Sequence, residues 1–423
     1  MKFLEEKFVP LAAKIGSQKH LACIRDSFMV VMPLTIAGAI GVLLLCIGGL
    51  FAESGLNMPA VEAGYSNFIA STGLSGVFSA LNTGTINLMA IFISGLLSGK
   101  LAELNGADKE SVFPVGIAAY MCGTALNADG AMDTGLFGAS GLFVAMMMSL
   151  LVGTVYPIFS KNEKLQIKMP DGVPPAVAKT FSNLIPAIFT MLICAAIYAY
   201  IWKFTGQTVW DIINTILGKP LTGMAQSVLF IIVDYFMIDL LWMFGLHGAN
   251  IMGSVTTPIL SPLGIENMNL FANKQEPVHI FCGGFGSGYV VLGGSGATIG
   301  ALVAIFLFSK SKATRTIGNL ALAPGIFEIN EPLTFGLPIV MNVVVAIPFI
   351  FGPIILATVT YYLMKGGIIR KPCIEAPWVT PPILGAFLIS GGDVKGAIWC
   401  AIEIVFLSVL WTPFIIANDK VNG

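Results

Sequence analysis

The chain has 423 residues, 56% of them hydrophobic and 11% charged, with a formal net charge of −1. A soluble domain carries roughly 25% charged residues, so the composition excludes one and indicates a membrane protein, and the near-neutral balance excludes a basic surface for nucleic acid. Cys23, Cys46, Cys122, Cys194, Cys282, Cys373 and Cys400 lie mostly in apolar runs and form no CxxC pair, which fits small buried hydrophobes rather than metal or redox chemistry.

Residues 1–20 carry lysines at 2, 7, 14 and 19 and lack a short apolar core with a small-residue cleavage site, so no signal peptide is expected. Leu4, Phe8, Leu11, Ala12 and Ile15 recur at helical spacing opposite the charges. An interfacial N-terminal helix is expected there, with a solvated leader as the alternative. Apolar runs follow at 26–51, 84–99, 136–158, 180–202, 226–246, 289–309, 339–364 and 396–417, with shorter or more broken ones at 111–126 and 376–390. Against the 17 to 25 residues a helix needs to cross, they amount to roughly ten crossings or partial crossings. The strict alternation of a barrel strand is absent, so the fold class is an all-α polytopic membrane protein whose spans satisfy their own backbone.

Basic residues usually stay on the cytoplasmic side. Their clustering up to Arg25 places the N-terminus there, with the 52–83 loop (Glu53, Glu62) outside, Lys100 and Lys109 inside, Asp129 and Asp133 outside, and the Lys- and Pro-rich segment 160–179 as a cytoplasmic linker. Lys310, Lys312 and Arg315 argue that the span ending near 309 finishes in the cytoplasm, but the broken segments leave helix parity open after residue 210. Upstream spans are plain and rich in small residues suited to close helix packing; downstream, polar groups, Gly and Pro invade the apolar runs. The chain therefore divides into 1–210, a packing half, and 211–423, a working half.

Broken backbone at membrane depth is tolerated where protein buries it or where it lines a cavity, and in carriers it surrounds the substrate. One such stretch is 244–264 followed by 276–300; the other is GIFEINEPLTFGLP, 325–338. Glu331 precedes Pro332, whose missing N–H suits a first helical turn. This pictures a re-entrant hairpin with Asn330 and Glu331 at its tip. A carboxylate in lipid is costly and normally faces a cavity or partner; the bland alternative for Glu331 and Glu328 is a solvated loop near the headgroups. His247 opens the first broken stretch and can donate and accept hydrogen bonds at once, which suits a hydroxyl, against the alternative of a structural histidine bridging two loops. Asp239 and His247, eight residues apart, are expected to share a helix face; Asp234 or Asp239 is either a coupling acid or a paired carboxylate near the membrane end. GGSGATIG, 293–300, lacks the Lys and Ser/Thr of a phosphate loop and is expected to permit close helix approach or to expose backbone groups to a ligand. His247, Asn250, Asn330, Glu331 and Trp242, with Trp378 as a further aromatic, supply the donors, acceptors and flat faces a sugar requires. No metal cluster, nucleophile triad or cofactor motif competes, and no cofactor is expected.

At these residues the chain resembles the membrane component, enzyme IIC, of the bacterial phosphoenolpyruvate-dependent sugar phosphotransferase system, in its lactose, cellobiose and diacetylchitobiose branch. The markers are HLACIRDSFMVVMPLTIAGA (20–39), FGASGLFVA (137–145), WMFGLHGAN (242–250), GGSGAT (293–298), GIFEINEPLTFGLPIVMN (325–342) and PWVTPPILGAFLISGGD (377–393). The resemblance implies a homodimer in the bacterial cell membrane, with an N-terminal dimerising half and a C-terminal substrate half holding two re-entrant hairpins. It also implies that His247 and Glu331 hydrogen-bond the hydroxyl of a disaccharide that will receive phosphate. Trp242, Asn250, His279 and Asn330 carry over more weakly. The donor would be a phosphocysteine on a separate IIB subunit, charged in turn through IIA, HPr and enzyme I; no IIB-like cysteine loop follows the last span here. Residue chemistry alone leaves two rivals open: an ion-coupled secondary transporter that releases unmodified sugar through Asp234, Asp239 or Glu403, and a channel-like protein with no saturable sugar site.

Overall fold

A computed structural model describes residues 10–11, 14, 17–51, 58–123, 132–170, 172–337, 339 and 342–422. Most of the expected interfacial helix at 4–15, together with Glu53 and Asp129, lies outside the described residues. In chain order the helices are α1 Lys19–Cys46, α2 Pro59–Ser71, α3 Leu74–Gly84, α4 Met89–Leu104, α5 Lys109–Met121, α6 Leu142–Ser160, α7 Pro175–Thr205, α8 Val209–Ile213, α9 Lys219–Ala225, α10 Val228–Met243, α11 Gly248–Ala272, α12 Phe285–Tyr289, α13 Ile299–Phe308, α14 Lys312–Ile326, α15 Glu331–Gly336, α16 Val343–Lys365, α17 Pro382–Ile389 and α18 Val394–Asn422; the described residues contain no β-strand. Among the described residues six helical stretches are long and apolar enough to cross a bilayer: Lys19–Gly49, Leu74–Leu104, Ala139–Ser160, Pro175–Thr205, Val344–Lys365 and Val394–Lys420. A seventh arises if Val209–Ala225 and Val228–Met243, bent by 75° at their junction, are counted as one. The chain is thus an all-helical, multi-pass membrane protein. The shorter runs at 111–126 and 376–390 become α5 and α17, 13 and 8 residues long. At about 1.5 Å per residue neither spans the hydrocarbon core alone.

The segment 52–83 corrects the expectation of a loop. Pro59, in the first turn, starts α2, the left-handed Gly73 (φ 75°) turns the chain, and α3 begins at Leu74. Ser, Asn and Gly dilute the apolar pattern there and hide the helices from hydropathy.

The chain forms two compact units, one built of 18–35 and 83–222, the other of 1–17, 36–82 and 223–423. In the first, α4, α5 and α6 approach until backbone nearly touches. A Cβ on Gly116 would collide with Ser98 Oγ and lie 2.5 Å from Ser94 O, and one on Gly153 would lie 2.8 Å from Leu101 Cβ. Ser149 Oγ donates to Ser94 O at 3.1 Å and Asn105 Nδ2 to Gly153 O at 2.9 Å, so these two side chains find backbone partners on the neighbouring helices. Trp210 stacks on Tyr198 and meets Tyr120 edge-on, at 5.3 and 5.7 Å between ring centres. Asp108 caps α5 through Ser111 N at 2.9 Å and receives Lys179 Nζ at 2.8 Å. Lys179 and Ser111 hold its carboxyl down at about 2.

The second unit buries Phe285, Tyr289, Phe349, Leu407 and Trp411 in one core. Polar latches tie its helices. Asp419 accepts from Ser309 Oγ at 2.7 Å, Lys310 N at 3.0 Å and Thr314 Oγ1 at 2.8 Å, which fixes the exit of α13 and the start of α14 to the end of α18. Asn342 Nδ2 donates to Asn418 Oδ1 at 3.0 Å, and Thr360 Oγ1 donates to the buried Glu403 at 2.6 Å while accepting from Trp399 Nε1 at 2.8 Å.

Two stability tests follow from the first unit. Gly116→Leu is expected to destabilise the protein by about 1 to 3 kcal/mol, the usual cost of overpacking, read as a lower midpoint in a thermal melt of detergent-purified protein; an unchanged midpoint would mean the helices part freely. The lowered Asp108 carboxyl contributes stability that is complete above its ordinary value of 3.8 and is lost as pH falls through about 2. The pair is partly exposed, so Asp108→Asn should cost no more than about 1 kcal/mol at pH 7 and less at pH 2, which paired melts at the two pH values would check.

Candidate functional site

α10 is apolar almost throughout and ends at Met243, where Gly245 (φ 76°) reverses the chain. His247 is the N-cap of α11: its Nδ1 accepts from Asn250 N at 3.2 Å. That bond satisfies one of the orphan amides of a helix start and fixes the tautomer, so the proton sits on Nε2. The imidazole is exposed, and its ring lies 4.6 Å from the ring of Trp242, which is buried. Trp242 Nε1 is buried with no acceptor among the described residues. The expectation that Asp239 and His247 share a helix face is corrected here, because the helix stops between them.

The NEP stretch forms the turn between α14 and α15. Pro324 and Gly325 fall in the last turn of α14, and their carbonyls receive Phe327 N at 2.9 Å and Glu328 N at 3.2 Å. Glu328 then takes φ 66°, in the left-handed region that side chains disfavour. The reason lies 35 residues upstream: its Oε2 accepts from Gly293 N at 2.7 Å and Gly294 N at 3.0 Å. Gly293, Gly294 and Gly296 have φ of 80°, 98° and 79°, and a Cβ on Gly294 would stand 2.5 Å from Asn330 Cγ, so the loop needs glycine twice over. Asn330 Nδ2 donates to Ser295 O at 2.5 Å. The GGSG stretch therefore does expose backbone amides, and the ligand they hold is a carboxylate of this same chain, an arrangement of successive N–H groups suited to an anion.

With Glu328 and Asn330 buried against the loop, Glu331 is the polar residue of the turn that stays half-buried, at the first position of α15 with Pro332 next. Phe335, one turn further on, brings its ring to 6.4 Å from Trp242. This contact joins the NEP helix to the Trp242–His247 pair. Thr334 Oγ1, fully buried beside it in sequence, has no partner among the described residues.

The other candidates sit elsewhere. His279 Nε2 pairs with Glu266 at 2.9 Å, and its backbone is held by Asn267, which donates to His279 O and Pro372 O at 2.7 Å each. Trp378 lies in the loop before α17 and is 52% exposed. Asp234 and Asp239 are buried; neither Asp239 oxygen has a hydrogen-bond partner among the described residues, although the Gly296 amide lies beside it. Among the described residues no group of three or more His, Cys, Asp and Glu is arranged to hold a metal. Sequence reasoning does not single out Phe335 and Thr334. Their only signal is position, three and four residues beyond Glu331 on a short helix.

Chemically, an imidazole Nε2–H donor and a carboxylate acceptor match a sugar hydroxyl. The sequence matches the family Phosphotransferase system, EIIC over residues 25–353. It is 36% identical to the Lichenan permease IIC component of Bacillus subtilis (strain 168), over 99% of this chain and 93% of that one. It is 31% identical to the PTS system cellobiose-specific EIIC component of Lactococcus lactis subsp. lactis (strain IL1403), over 99% and 98%. Among solved structures it is similar to the transporter ChbC, the IIC component from the N,N'-diacetylchitobiose-specific phosphotransferase system, with a TM-score of 0.89, 30% identity and coverage of 99% and 98%.

The Glu328 contact makes a test. Glu328→Ala leaves two buried amides without an acceptor, at about 1 to 3 kcal/mol each, and should lower the melting midpoint and speed deuterium exchange at Gly293 and Gly294; Glu328→Gln, which keeps an acceptor, should restore most of both. Unchanged exchange in the alanine variant would show that the carboxylate does not hold the loop.

Proposed function

The chain belongs to the phosphotransferase system EIIC family, a membrane sugar-translocating subunit, and from that premise we propose that it carries a disaccharide of the cellobiose or diacetylchitobiose type and presents one hydroxyl for phosphorylation by a separate IIB subunit. The sugar class rests on the names of the relatives, cellobiose and lichenan, and on the diacetylchitobiose-specific transporter that shares the fold. Glu331 accepts a hydrogen bond from the reactive hydroxyl and takes its proton as the oxygen attacks the phosphocysteine of IIB, which leaves as thiolate. His247 Nε2–H donates to the same oxygen, and the buried Trp242 packs against the imidazole with its indole N–H unmatched among the described residues. Glu328 and Asn330 hold the turn to the glycine loop and act as positioning residues. His279, Asn250 and Trp378 belong to the wider candidate set. The observation that carries this reading is the His247–Trp242–Phe335 chain of contacts, which brings the imidazole and the NEP helix to one place.

On this reading residues 1–210 serve dimerisation in a homodimer and 211–423 form the sugar-binding half. About ten crossings or partial crossings with two re-entrant hairpins, α14–α15 and the broken stretch 276–300, complete the fold. The N-terminus is cytoplasmic, and IIA recharges IIB.

General bases contribute about 10² to 10⁴ in rate. Glu331→Gln should therefore cut sugar phosphorylation by at least about 100-fold in membranes supplied with phosphorylated IIB, while cellobiose or diacetylchitobiose binding to the purified protein falls far less. Wild-type rates in that variant would refute the base role. In vesicles, sugar phosphate should accumulate only with phosphorylated IIB; accumulation of unmodified sugar on a proton gradient alone would favour the ion-coupled rival.

A further inference from the structure

A further concentration of basic side chains in the second unit lines a cleft to which none of the candidate site residues above contributes. This cleft of about 470 Å³ is lined by Lys365, Arg370, Lys371 and Lys395, with Glu276 and Asp393 as its acids. None of the four cations has a carboxylate within ion-pair distance among the described residues. Asp393 makes no ion pair with them; its two oxygens accept from the backbone N–H groups of Arg370 and Lys395, at 2.9 and 3.0 Å. Arg370 is held in place without a carboxylate: its guanidinium carbon stands 5.6 Å from the centre of the Phe271 ring, and Nη1 donates to Ser390 O and Gly391 O at 3.3 and 3.4 Å. Its Nε and Nη2 have no acceptor among the described residues. Lys371 Nζ donates to Val278 O at 3.3 Å, again to a neutral group. Four charges against two, with one acid engaged by backbone, make a fixed excess of positive potential over a pocket of ligand size.

Its place in the fold selects the ligand. Lys365 is the last residue of the span Val344–Lys365, and Lys395 stands in the first turn of the span Val394–Lys420, so the cleft sits where two membrane helices meet the headgroup layer. The Asn342–Asn418 bond joins the opposite ends of the same two helices. Apolar Ile368 and Val394, 56% and 36% exposed, border the cations, offering acyl chains a surface next to the charge. We infer that this cleft binds the phosphate headgroup of an anionic phospholipid, with Arg370 and the three lysines around the phosphodiester and the acyl chains lying along α16 and α18. A free phosphate would satisfy the same cations but would leave the apolar border uncovered.

The test uses the full chain in a neutral detergent, titrated with dioleoyl phosphatidylglycerol, dioleoyl phosphatidylcholine or inorganic phosphate, with bound lipid counted by native mass spectrometry. Phosphatidylglycerol should bind at least about a hundredfold more tightly than phosphatidylcholine, and millimolar inorganic phosphate should not displace it. Each basic residue near an anionic headgroup is worth about fivefold in binding, so Lys365→Gln/Lys395→Gln, which alters two exposed side chains without hydrogen bonds among the described residues, should lose about twentyfold of that preference with sugar binding unchanged. Adding Lys371→Gln should abolish the rest. Equal binding of the two lipids, or an unaltered preference in the double variant with sugar binding intact, overturns the proposal. Displacement of the lipid by inorganic phosphate at equal concentration overturns the lipid source in favour of a free anion. Loss of sugar phosphorylation without loss of lipid preference would bear on the reading above and not on this one.

Discussion

A carboxylate taken out of water has to be met by donors, since the cost of leaving it bare rises steeply as the dielectric falls. Glu328 is met by the amides of Gly293 and Gly294, and much of the candidate site depends on that meeting. It accounts for the left-handed backbone at Glu328 and for glycine in the loop, and it forces the next polar side chains into different directions. Asn330 turns toward Ser295 while Glu331 stays at the mouth of the turn. The two carboxylates are three residues apart, and one is enclosed by amides while the other stays half-buried.

How far the sequence discloses this depends on the range of the interaction. Runs such as 180–202 and 396–417 announce helices because hydropathy is local and cumulative, and α7 and α18 occupy them with a few residues to spare at each end. The NEP turn is readable because Glu before Pro in an apolar region conflicts with its setting. The partner of Glu328 is not, since nothing in GIFEINEP states that its acid will be held by amides 35 residues earlier. The same holds for Phe335 against Trp242, a contact made in three dimensions between segments about ninety residues apart.

Two departures from the sequence expectation have local causes. Counting turns puts Asp239 and His247 on one helical face, and Gly245 voids that count by ending the helix between them. Small polar residues thin the apolar pattern of 59–84 and make it look like a loop, although Pro59 and Gly73 mark a helix start and a turn there. At both places the punctuation by Pro and Gly carries more information than the apolar content of the run.

The latch at Asp419 has a mechanical meaning. One carboxylate grips the exit of α13, the first turn of α14 and its own helix α18. Those three pieces share a common anchor, so the arm that carries the NEP turn cannot pivot at its base while α18 stands still. Any movement that carries a bound guest across the membrane must either drag the final helix along as cargo or hinge beyond the anchor, within α14 or at the turn itself.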